Sequence, residues 1–174
     1  MGRGFSRSIK IVNFRYGTGD ELIFDMVVNH NEYRLPHKFE ENDIIIDIGA
    51  HIGSFTYASY IRGSRLIYSI EANYDNFLLA NKNLEPYIDK GHVFLTYGAM
   101  WRSDRNKDVL RVSSFENFEG KHLKNLINTG SSQVIWNEEG IEVPKINFDR
   151  FITKVLRDTG QNRIRWICKI VAAF

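Results

Sequence analysis

A single cysteine, Cys168, stands among 174 residues, so no disulfide can form within the chain and no zinc cluster can be built on thiolates. His92 and His122 have neither a carboxylate nor a second histidine at ligand spacing, and no metal is expected. No apolar run approaches the roughly 18 residues that a membrane-spanning helix needs. Arg3 and Arg7 are not followed by the apolar stretch of a signal peptide. An excess of one charge is missing too: 23 Lys and Arg face 21 Asp and Glu, and the basic residues are scattered among acids. Nucleic-acid binders more often carry a basic patch. The densest basic stretch, GRGFSRSIK at the amino end, reads as a solvated tail. Repeats and low-complexity segments are also lacking. These absences point to a soluble, cytoplasmic protein with no membrane span and no nucleic-acid partner.

The composition is that of one globular domain, with 43% hydrophobic and 25% charged residues, enough to build a core. Two apolar segments, 9–14 and 22–28, are rich in β-branched and aromatic residues and flank the turn-forming RYGTGD. They predict an amino-terminal β-hairpin, which with its linker occupies residues 1–40. Residues 41–174 form the main domain.

That domain opens on IIIDIGA (44–50), a continuous apolar run stopped by glycine, as expected of a parallel strand buried on both faces. A helix follows over 53–63, with Ser54 as a cap near its start. RLIYSIEA (65–72) is a second strand. A second helix spans 74–88, with Pro86 ending or kinking it. HVFLTYGAM (92–100) is a third strand. The order βαβαβ predicts a parallel sheet with right-handed crossovers. Beyond Met100 the pattern predicts a short strand at 108–115, a hairpin over 134–148 turning at Glu138–Gly140, a helix over 149–160 capped near Asp149 and ended by Gly160, and a buried strand over 164–174.

The segment DIGAHIGSF carries the chemistry. Gly49 suits a backbone angle closed to other residues and lets the main chain approach a ligand, and Gly53 allows close helix–strand packing. Glu71 ends the second strand, near the roughly 20-residue separation at which an acid grips ribose hydroxyls. The spacing Gly49-x-x-x-Gly53, with Ala50 and His51 between, is not the G-x-G-x-x-G of dinucleotide sites, and no P-loop Lys-Ser/Thr follows. Asp47 would oppose a pyrophosphate but suits a sulfonium or ammonium group. Together these residues favour S-adenosylmethionine over NAD as the cofactor.

IIIDIGAHIGSFTYASY, IYSIEANYDNFLLANKNL and TYGAMW resemble the FkbM family of S-adenosylmethionine-dependent methyltransferases, with a weaker likeness through VPKINFDRFI and RWICKI. The family's D-x-G-A-x-x-G motif matches Asp47, Gly49, Ala50 and Gly53, and its strand-two acid falls on Glu71. The resemblance implies a Rossmann-like class I methyltransferase fold and methyl transfer to a hydroxyl of a sugar, glycan or polyketide-like acceptor. In the family an acidic D-x-E-G segment and further strands follow RWICKI, whereas here Val171–Phe174 end the chain. The sheet is therefore expected to lack its last strands, with a homodimer covering the open edge. A non-catalytic nucleoside-binding or interaction module is the alternative function.

The expected cofactor-binding set is Asp47, Gly49, Ala50, His51, Gly53, Glu71, Ala72, Asn73, Gly98 and Ala99. Asn73 either contacts the adenosine or caps the following helix. Gly98 and Ala99 either leave room for adenine or serve packing. His51, His122 and Asp149 are candidates for a general base, and the sequence does not choose among them.

Overall fold

The computed structural model of the chain describes residues 12–104, 109–114, 116–117, 126–135, 140–164 and 166–169. In chain order its elements are α1 (Asp20–Val28), β1 (Ile44–Ile48), α2 (Ser54–Ile61), β2 (Leu66–Glu71), α3 (Tyr74–Ile88), β3 (Val93–Tyr97), β4 (Ala99–Trp101), β5 (Leu110–Val112), β6 (Glu116–Asn117), β7 (Ile127–Asn128), β8 (Val134–Ile135), β9 (Ile141–Val143), β10 (Lys145–Asn147), α4 (Phe148–Thr159) and β11 (Trp166–Lys169).

The central strand is β1. Ile44, Ile45 and Ile46 are each at most 1% exposed, and alternation sends them to opposite faces of the sheet. Ile45 packs with Ile67 and Val93 against Phe55 and Ala58 of α2 and Ala80 and Leu84 of α3. Ile44 and Ile46 pack with Ile70 against Val155 of α4, joined by Phe151, Ile152 and Leu156. Fully burying an isoleucine contributes about 1.5–3 kcal/mol, so β1 anchors three layers: helices, sheet, helix. The four strands run parallel in the order β11-β1-β2-β3. From β1 the chain winds outward one way through β2 and β3, then returns to place β11 on the other side. The strand order thus reverses beside β1, where open parallel sheets form a crevice at their carboxyl ends.

The predicted amino-terminal hairpin is not formed. Asp20–Val28 is helix α1, and residues 12–15 form no strand. The β-branched residues that read as strand instead put Ile23 and Val27 one turn apart, on the face that joins the core of α2 and the sheet. Phe24 packs on Phe14 and Tyr57, with ring centroids 5.5 and 5.7 Å away. Burial here overrides strand propensity. Leu35 and Phe39 enter the same core.

Three local expectations are also corrected. The third predicted strand breaks at Gly98: β3 stays in the main sheet, while β4 pairs in parallel with β10. In the predicted 134–148 hairpin the strands do not pair with each other: β8 and β9 each pair antiparallel with β5, which lies between them. Ser54 makes no capping bond, and α2 starts from Gly53 in a left-handed conformation. Helix α3 has the predicted span, Tyr74–Ile88, with Pro86 in its last turn, and the cap of α4, expected near Asp149, is Asn147, whose side chain accepts the Arg150 N–H. Gly160, with φ of 67°, ends α4. Among the described residues no helix is long and apolar enough to cross a membrane.

Candidate functional site

The loop leaving β1 is shaped by three left-handed residues, Gly49, His51 and Gly53, with φ of 85°, 55° and 93°. The N–H groups of Gly49 and Ala50 both donate to the Ile70 carbonyl, at 2.8 and 2.9 Å, which turns the chain over the end of β2. Gly53 has two reasons to be glycine. Its φ disfavours any side chain, and a Cβ there would lie 2.8 Å from Leu84 Cδ1. The first turn of α2 thereby sits tightly on α3. Histidine at a positive φ is uncommon and marks a position where the surroundings hold the backbone.

Those surroundings centre on Glu71, at the carboxyl end of β2. Its Oε2 accepts the His51 N–H and its Oε1 the Asn73 N–H, both at 2.7 Å. The side chain is only 5% exposed. Burial pushes its pKa up, and the two N–H bonds offset that only in part. The carboxylate thus clips the loop after β1 to the start of α3. Asn73 caps α3, accepting the N–H groups of Asp75 and Asn76 at 3.0 and 3.1 Å.

Asp47 faces α2. It is fully buried, and its Oδ2 accepts the Thr56 hydroxyl at 2.7 Å; Thr56 in turn meets Ser69 at 2.6 Å. Burial raises its pKa to about 7, against the pull of Thr56 and with a further push from Glu71. Three buried polar atoms of this unit have no partner among the described residues: Asp47 Oδ1, His51 Nδ1 and Ser54 Oγ.

A network that the sequence reading missed closes over the loop. Asp20, at the start of α1, is fully buried and binds Arg15 through Nε and Nη2, each at 2.9 Å. Thr129 donates its hydroxyl to Asp20 Oδ1 at 2.6 Å and lies 2.7 Å from His51 Nε2. His51 Nε2 is also 3.4 Å from Asp20 Oδ1. Asn76 joins in, accepting from Arg15 Nη2 at 2.7 Å and donating to the Thr129 carbonyl at 2.8 Å. Burial pushes the Asp20 pKa up, but hydrogen bonds from His51, Arg15 and Thr129 outweigh that and hold it well below the usual carboxylate range. The segment from Ile127 to Ser132 is thus strapped across the loop. Its other ties are Ile127 to Gly17 and Gly19, and Ser132 to Asn73. Asp20 sits at the end of the turn-forming RYGTGD and Thr129 in NTG, and nothing in either stretch signals that the two meet.

The remaining sequence candidates fall at varying distances from this centre. Ala72 packs against the cluster of Ala99, Leu110, Val112 and Val143. The Gly98 N–H donates to the Glu71 carbonyl at 2.9 Å. A Cβ on Gly98 would meet Ile146 Cδ1 at 2.7 Å and the Pro144 carbonyl at 2.9 Å, so its smallness serves packing against the approach to β10. Asp149 is exposed on the first turn of α4, on the opposite face of the sheet from α2, and its N–H goes to Ser103 Oγ. His122 lies outside the described residues. Among the described residues no group of three or more His, Cys, Asp or Glu is placed to hold a metal ion.

No family model matches the chain, and no curated protein does. The FkbM resemblance therefore rests on the sequence motifs alone. Among solved structures the chain is similar to a "putative RNA methyltransferase" from Pyrococcus horikoshii, at 16% identity and a TM-score of 0.31. The likeness covers 45% of this chain and 36% of that one, so the chain spans about a third of the length of that protein. A likeness of this extent says nothing of substrate.

Proposed function

We propose that the chain binds S-adenosylmethionine at the carboxyl ends of β1 and β2 and transfers its methyl group to a hydroxyl of a sugar, glycan or polyketide-like acceptor. The observation that carries the reading is the coupling of Glu71 to the glycine loop, at the edge of the crevice where the strand order reverses. The acceptor class rests on the FkbM resemblance. The donor set suits the cofactor. Glu71 has lone pairs beyond the two its amides use, enough for a vicinal diol. Asp47 Oδ1, fully buried and without a partner among the described residues, suits the positive charge of the amino-acid end. Gly49 and Ala50 keep the loop narrow.

When bound, the cofactor supplies a methyl group already activated on sulfur. The chain's own part is then to bind, to exclude water and to hold the acceptor oxygen in line. The strap from Ile127 to Ser132 covers the loop and serves exclusion.

One observation favours a second reading, a non-catalytic interaction module that takes up no nucleoside. Both Glu71 oxygens and the His51 ring are already engaged by the chain itself. Calorimetry separates the two. Under the first reading the folded chain binds S-adenosylhomocysteine and Glu71→Ala weakens that binding at least tenfold. Folded protein that takes up no S-adenosylhomocysteine overturns it in favour of the second.

A further inference from the structure

The hydrogen bonds joining Asp20, Thr129 and His51 have only one consistent direction. Arg15 gives three N–H groups to Asp20: Nε and backbone N to Oδ2, Nη2 to Oδ1, at 2.9, 3.0 and 2.9 Å. A carboxylate so held is ionised and only accepts. The Thr129 hydroxyl therefore spends its single proton on Asp20 Oδ1, at 2.6 Å. Its oxygen can then only accept from His51 Nε2, at 2.7 Å. A neutral imidazole with its proton on Nε2 carries its free lone pair on Nδ1. That Nδ1 is buried and has no partner among the described residues. It belongs to a residue that is 4% exposed and held at φ 55° inside the loop after β1.

We infer that His51 is the general base of the proposed transfer, acting through Nδ1, with Thr129 and Asp20 as positioning residues that fix its tautomer. The inference rests on the methyl-transfer reading of the same loop. As the bond from acceptor oxygen to methyl carbon forms and the sulfur–methyl bond breaks, the acceptor's O–H bond breaks and its proton passes to Nδ1. The sulfur leaves as a neutral thioether, taking the electron pair. His51 becomes an imidazolium, whose charge faces Asp20 at 3.4 Å and Thr129 at 2.7 Å. Of the other bases considered from sequence, Asp149 lies on the far face of the sheet.

The deciding experiment is nitrogen-15 NMR of the full chain with labelled imidazoles, His51 being assigned by its loss in His51→Asn, a residue that tolerates a positive φ. The expected spectrum at pH 8 shows a protonated Nε2 and a bare Nδ1. In Thr129→Val, with the rest of the spectrum unchanged, the two tautomers are expected to mix. The opposite tautomer in the unaltered chain, or an unaltered preference in Thr129→Val, overturns the relay. This tautomer test stands whether or not an acceptor is in hand. With methyl glycosides as acceptors and radiolabelled S-adenosylmethionine, His51→Asn is expected to lower kcat by about 10²–10⁴ with KM held within threefold, and an unchanged kcat overturns the base role. S-adenosylhomocysteine binding tells the two failures apart. Binding with the wrong tautomer sinks only the base. The right tautomer without binding sinks the methyl-transfer reading and leaves the relay a structural clamp.

Discussion

Glu71 accepts the backbone N–H of His51 at 2.7 Å, tying the end of β2 to the loop that leaves β1. Its other oxygen takes the Asn73 N–H at the same distance. One side chain therefore holds the glycine loop and the cap of α3 at a fixed spacing. Removing it strands the buried His51 N–H, at about 1–3 kcal/mol, and the half-buried Asn73 N–H, at somewhat less. Glu71→Ala is expected to lose about 2–5 kcal/mol of stability. Glu71→Gln, which can still accept at one oxygen, should lose roughly half of that. Urea denaturation of the two variants checks the order, and equal losses would contradict the two-bond account.

Gly53→Ala is expected to destabilise by about 1–3 kcal/mol, since it adds strain at φ 93° to a contact 2.8 Å from Leu84 Cδ1. The steric share can be separated from the backbone share. In a Leu84→Ala background the added methyl no longer meets the leucine, so the Gly53→Ala penalty should shrink without vanishing. Thermal melts of the four proteins in the cycle measure it.

The buried acids give stability a definite pH trend. Asp47 has an ordinary pKa of 3.8 and is raised to about 7 in the fold. Between those values the native state binds more protons than the unfolded chain. Its contribution to stability is thus full below pH 3.8 and lost as pH rises through about 7. Glu71 is shifted in the same direction. Asp20, shifted downward, is ionised in both states at pH 5 and above and adds no slope there. Stability is therefore expected to fall between pH 5 and pH 8 by a few kcal/mol, at about 1.4 kcal/mol per pKa unit. Asp47→Asn should flatten part of the fall and leave the share of Glu71. A variant that falls as steeply as the parent would refute the assignment to Asp47.

Under the proposed reading, cofactor uptake beside Asp47 should release protons near neutral pH, because a cation there favours the carboxylate. Calorimetric titration with S-adenosylhomocysteine in buffers of different ionisation enthalpy reads the number directly. The expected release at pH 7 is a fraction of a proton, lost in Asp47→Asn.

Thr129→Val keeps the shape of the side chain but removes the bonds to Asp20 and His51. The amide protons of the strap, Ile127–Ser132, are expected to exchange at least tenfold faster, while those of β1 and β2 keep their protection. Global stability should drop by about 1–3 kcal/mol. Uniform acceleration across the sheet would mean that the strap and the core open together.

What was legible in the sequence is what depends on short range. The isoleucine run of β1, its stop at Gly49, the helix after it and the strand ending at Glu71 follow from periodicity and from glycine's special angles, and all appear as such. The pairing of Gly49 with Glu71 could be read as a spacing because β1, α2 and β2 are one continuous unit. The structure alone decided what depends on partners distant along the chain. Residues 22–28 have strand-like composition yet form a helix, because the free face of α2 needs Ile23 and Val27 on one side. The third strand breaks at Gly98, where a side chain would run into Ile146 and Pro144, both far along the chain. The site shows the same division. Glycine spacing and the strand-end acid were local signals, whereas Asp20 and Thr129 are 109 residues apart and gain their roles only when burial forces an ionised carboxylate to find every donor within reach.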